Sequence, residues 1–180
     1  MLFQKTSMEN TTTNDLATAQ LKQLIQQVIK SWKGQNKTID TFFSKYENEF
    51  YLNVVAPGRN RAIYLLGHLI ATNDWLLEVL GIGERLYPQL DEIFISHPDN
   101  PATEMPSIEE LKDHWEKLNL ALASAFNNME TTEWFEPHTR VSQEDFALNP
   151  SRNKLNVLMS RVIHEGYHAG QLALLTPGQG

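Results

Sequence analysis

His164-Glu165-Gly166-Tyr167-His168 is the stretch whose residue types and spacing could do chemistry. It lies inside an apolar-periodic segment, Lys154 to Leu175, that reads as an amphipathic helix through Leu155, Leu158, Val162, Ile163, Leu172 and Leu175. Two histidines four apart project from one helix face, one turn apart. Both imidazoles can then reach a single cation, at roughly 2.0–2.1 Å per nitrogen for zinc. The same stripe carries Arg161 and Gln171. The literal H-E-x-x-H match belongs to zinc proteases, where the Glu is the general base. That site takes its third ligand from further along the chain, yet only twelve residues follow His168 and none is His, Asp, Glu or Cys. The protease reading fails on ligand supply. Any third ligand must come from upstream.

Of the other histidines, His97 (Ser-His-Pro-Asp) and His138 (Pro-His-Thr) sit in connections and read as solvated. His114 flanks an apolar helix face between Leu111 and Leu118, a surface or boundary position. His68 differs: it lies within Leu65-Leu66-Gly67-His68-Leu69-Ile70, where a lone imidazole is costly without a partner. The ordinary reading is a hydrogen-bonded core histidine. Its place in mid-helix, facing a helix with two more, favours a shared site.

The elements that must position these groups follow from periodicity and caps. Residues 1–13 are polar and Thr-rich, a flexible lead-in to a domain over 14–176. A first helix runs from Asn14–Asp15 to about Ser31 and breaks at Gly34-Gln35-Asn36. A short turn at Thr41–Phe43 and a linker to Pro57-Gly58 come next. Helix two runs from about Asn60 to Leu80, apolar on a broad face, and stops at Gly81. Residues 84–106, rich in proline, make a long crossover with one helical turn near Gln89–Ile93. Ser107-Ile-Glu-Glu110 is a capping box opening helix three. Residues 130–148 read as loop, and Asn149-Pro150 as the cap and first-turn proline of helix four. Four helices with one long crossover between the second and third predict an all-α four-helix bundle.

Composition bounds the function. The 180 residues suit one core, and 41% hydrophobic with 21% charged residues is ordinary for a globular chain. A net charge of −7 argues against a nucleic-acid surface or an anionic membrane patch. With no cysteine there is no disulfide, thiolate ligand or cysteine nucleophile, so thiol chemistry would need an external thiol. No signal core or membrane-length apolar run is present, which makes a cytoplasmic protein the default expectation.

Pro57-Gly58, then Leu66-Gly67-His68-Leu69-Ile70-Ala71-Thr72-Asn73, then His164-Glu165-Gly166-Tyr167-His168-Ala169-Gly170-Gln171-Leu172 together resemble the DinB/YfiT-like superfamily of metalloenzymes. The resemblance covers roughly residues 16–175. It implies up-down-down-up topology and a divalent metal held by His68, His164 and His168. It also implies a small-molecule substrate, a low-molecular-weight thiol co-substrate in thiol-dependent S-transferases, and a frequent homodimer.

Three neutral imidazoles leave a position open on zinc or nickel, as catalytic sites do. A metal there could lower the pKa of bound water or of a bound thiol. Glu165 is the candidate catalytic base, although one residue on from His164 it points about 100° away, and the alternative is a solvated helix residue. Arg161, Gln171 and Tyr167 are candidates to touch substrate, orient a ligand or pack. The expected function is a metal-dependent S-transferase; the alternatives are a metal-dependent hydrolase and a non-catalytic metal-binding bundle.

Overall fold

The computed structural model describes the backbone of residues 2–178, with side chains described from Asp15 to Gly178. The backbone of the lead-in expected over 1–13 is helical from Leu2, so α1 starts there and not at Asn14–Asp15; the side chains of this stretch lie outside the described ones. In chain order the helices are α1 (Leu2–Phe43), α2 (Ala62–Val79), the single-turn α3 (Asp91–Phe94), α4 (Ile108–Asn128), the short α5 (Gln143–Leu148) and α6 (Lys154–Leu172). Among the described residues the chain is all-α: pairing is limited to two isolated bridges, Val54 with Arg61 and Pro137 with Asn153.

α1 passes straight through the expected break at Gly34. The buried positions Ile25, Ile29, Trp32, Asn36, Ile39 and Phe43 follow one another at steps of four and three, so one stripe continues to the end of the helix. Gly34 meets nothing on the helix exterior, and its cost of about 1 kcal/mol relative to alanine is offset by burying Ile39 and Phe43 beyond it.

α2 is the central helix, with 13 of its 18 residues buried and contacts to both α4 and α6. It ends as its sequence predicts. Gly81 takes φ 67°, Ile82 N–H donates to Leu77 at 2.9 Å and Gly81 N–H to Glu78 at 3.0 Å, the paired bonds of a Schellman cap.

The crossover is pinned to α2 by charge. Arg85 donates to Asp74 at 3.0 Å and to Asp91 at 2.7 and 2.5 Å, while the Leu86 and Tyr87 amides also donate to Asp74. Arg61 and Asp99 tie its far end at 2.6 Å. α3 thereby lays Phe94 against α2 at Gly67, where a Cβ would overlap the phenyl ring. The glycine is there for close approach.

Both halves of the capping box at Ser107 and Glu110 form. α5 lies in the stretch expected as loop: none of its residues is buried, so no apolar period marks it, and its one signal is Ser142 accepting from Asp145 N–H. The cap of α6 is Asn153, accepting from Asn156 N–H at 2.9 Å, not Asn149. Asn149 instead makes a local turn with Ser151. α1 packs along α6, and Trp32, Phe126 and Trp134 stack edge-on at 5.0 and 5.5 Å inside the core.

Candidate metal centre

His68 comes from the middle of α2, and His164 and His168 from successive turns of α6. Their Nε2 atoms converge: His164 lies 3.2 Å from His68 and 3.1 Å from His168. One ligand atom of each lies within 4.8 Å of the other two, and among the described residues no other such histidine, aspartate or glutamate group occurs. Two nitrogens bound to one tetrahedral zinc stand about 3.3 Å apart, so the spacing fits an ion in the middle. On its other side α6 turns Gly166 to α1, where a Cβ would stand 3.4 Å from the Gln35 side chain, an ordinary contact.

Hydrogen bonds behind the rings fix which nitrogen faces inward. His68 Nδ1 is 2.8 Å from the Phe94 carbonyl, which can only accept, so the proton sits on Nδ1. His168 Nδ1 is 2.7 Å from Gln171 Oε1, and Gln171 turns its amide nitrogen to the Tyr167 hydroxyl at 3.1 Å. Both rings then aim Nε2 lone pairs at His164. One proton on His164 satisfies one of them; a cation satisfies all three. Carbonyl partners of this kind are what metal-ligating histidines use to hold their orientation.

The electrostatics keep the rings in their ligating form. Burial drives His164 down to about 3, with His168, Arg161 and His68 adding repulsion. Burial also lowers His68 and His168, outweighing the Phe94 and Gln171 hydrogen bonds that favour their charged forms. Neutral imidazole is the species a divalent ion requires.

Glu165 is neither solvated nor part of this cluster. It is 0% exposed and turns into the core, where Asn73 on α2, also 0% exposed, donates to Oε1 at 2.7 Å. Its second oxygen has no partner among the described residues. Burial pushes its pKa up to about 8, against the opposing pull of Asn73, Arg161 and the nearby Trp32 indole. Trp32 favours the carboxylate without a hydrogen bond of ordinary geometry.

Arg161 is half-buried, with Nη1 3.5 Å from His164 Nδ1. Its Nε is buried and unpartnered, and no carboxylate among the described residues forms an ion pair with it.

The remaining histidines stand apart. His97 pairs with Glu92 at the exposed surface. His138 is half-buried in the connection before α5. His114 stacks on Tyr87 at a centroid distance of 4.1 Å. Two contributors had no role in the sequence reading: the Phe94 carbonyl, which no side-chain pattern could signal, and Asn73, whose signal is a carboxamide in the most apolar helix.

No protein-family model matches the chain, and no curated protein is similar to it.

Proposed function

We propose that His68, His164 and His168 hold one divalent ion, zinc or nickel, and that the chain is a cytoplasmic DinB/YfiT-like four-helix bundle of up-down-down-up topology. Within that reading it transfers a low-molecular-weight thiol to an electrophilic carbon: the sulfur forms the C–S bond as thiolate, the thiol proton passes to solvent, and the carbon's leaving group departs with its bonding electron pair. The observation that carries the proposal is the meeting of three Nε2 atoms at 3.1 and 3.2 Å with two of the opposite ring nitrogens already donating elsewhere. Three neutral ligands leave the ion Lewis-acidic, able to stabilise a thiolate near neutral pH. The chain's own residues do the rest: Phe94 and Gln171 hold two of the rings, and the crossover holds Phe94. The absence of cysteine fits a thiol brought in by a co-substrate.

Hydrolysis with Glu165 as base is the weaker reading, because a fully buried carboxyl engaged by Asn73 is poorly placed to take a proton from water. The test is zinc- or nickel-loaded protein assayed on electrophiles and esters, with and without bacillithiol, mycothiol, glutathione and coenzyme A. Thiol-dependent consumption of an electrophile, lost in His68→Ala, is the expected result. Ester turnover that ignores every thiol and dies in Glu165→Gln would contradict it. Silence throughout would leave a metal-binding bundle without this chemistry.

A further inference from the structure

Arg161 is a cation placed where cations are least welcome. It stands one turn before His164 on α6, with Nη1 3.5 Å from the ring nitrogen that faces away from the cluster. Two of the three histidines give that outer Nδ1 an acceptor; His164 gives it a guanidinium, which can only donate. When His164 Nε2 serves as a metal ligand, its neutral ring carries the proton on Nδ1. Two donors then confront each other with nothing to accept.

The charge is as unbalanced as the hydrogen bonding. A divalent ion on three neutral imidazoles beside a guanidinium brings three positive charges together. Burial lowers the Arg161 pKa and Glu165 only partly opposes it, without pairing with Arg161; its Oε1 is engaged by Asn73. Arg161 Nε remains buried with no acceptor among the described residues. An unpaired, half-buried charge is destabilising in a folded protein unless a counter-ion arrives.

We propose that Arg161 is the anion-recognition residue of the centre, and that the molecule bound there carries a carboxylate that accepts from the Arg161 guanidinium and from His164 Nδ1–H. The planar fork of guanidinium donors matches two carboxylate oxygens, which a lysine would not reproduce. This rests on the metal reading above and adds the substrate class to it.

The experiment uses the full chain loaded with zinc, titrated calorimetrically with acetate and with acetamide, its uncharged counterpart. Wild type, Arg161→Gln and Arg161→Lys are compared, and zinc affinity is measured in each by chelator competition. Acetate is expected to bind wild type at least about tenfold more tightly than Arg161→Gln, the scale of one charged hydrogen bond, with Arg161→Lys between them. Acetamide affinity and zinc affinity should not fall in either variant. Removing an unpaired charge is not expected to unfold the chain; should Arg161→Gln fail to fold, Arg161→Lys still carries the comparison.

Equal acetate affinity in all three proteins would overturn the proposal, pointing to Glu165 as the counter-ion or to the open metal position as the whole anion site. So would the absence of acetate binding to zinc-loaded wild type. Parallel loss of zinc and acetate in Arg161→Gln would make Arg161 a support for the metal ligands instead. A wild-type chain that takes up no zinc is a different result: it removes the metal reading, and this inference with it.

Discussion

A carboxylic acid held at the centre of α6, one residue from a histidine of the cluster, sets the behaviour of the metal-free protein. Glu165 has a folded pKa of about 8 against an ordinary 4.5, so the folded chain keeps a proton that the unfolded chain releases between those values. Its contribution to stability is therefore complete below about pH 4.5 and lost as pH rises through 8. Glu165→Gln keeps an acceptor for Asn73 and removes the titration. Thermal melts of metal-free protein should show the variant gaining on wild type from pH 5 to pH 8, by on the order of a few kcal/mol at the upper end. A difference independent of pH would contradict the buried neutral acid. The histidines of the cluster were legible in the sequence, two by their spacing and His68 by being polar among leucines. The burial of Glu165 was not: next to a ligand histidine it fitted a solvated or a catalytic reading, neither of them buried, and Asn73, 92 residues away, decides its partner.

At the scale of elements, ligand geometry depends on contacts made by residues with no chemistry of their own. Gly67 precedes His68 on α2 and lets the Phe94 ring sit against the helix, which brings the Phe94 carbonyl to His68 Nδ1. Gly67→Ala must displace that ring. The expected cost is about 1–3 kcal/mol of stability from overpacking, with weaker zinc binding as His68 loses its acceptor. Denaturant unfolding with chelator competition measures both, and an unchanged zinc affinity would show that the carbonyl does not position His68. Helices with a buried stripe or a strong cap were readable: α2 with its terminal glycine, and α4 with its box. The helix continuing past Gly34 was harder, because the polar Asn36 interrupts the apolar pattern although its side chain is buried and donates to Asn119 at 3.1 Å. α5 has no buried face to read.

Across the whole molecule, the centre joins His68 on α2 to His164 on α6, 96 residues apart in sequence, and relies on the crossover to deliver Phe94. That crossover is anchored by Asp74, whose side chain is 0% exposed and meets Arg85 and two backbone amides. Arg85→Met leaves the buried carboxylate without its cation and should cost about 3–5 kcal/mol in denaturant unfolding, more than a surface pair could. A cost below about 1 kcal/mol would place the anchor in the amides alone. The length of the crossover was visible in its prolines, but not the ion pairs that fix it, since they join residues whose proximity only the fold creates. The most direct test of the account is the metal content of the protein, measured with His68→Ala, His164→Ala and His168→Ala after equal exposure to zinc. One ion per chain in wild type, lost or sharply reduced in each variant, is the predicted result; full occupancy in any one of the three would contradict a centre built from all of them.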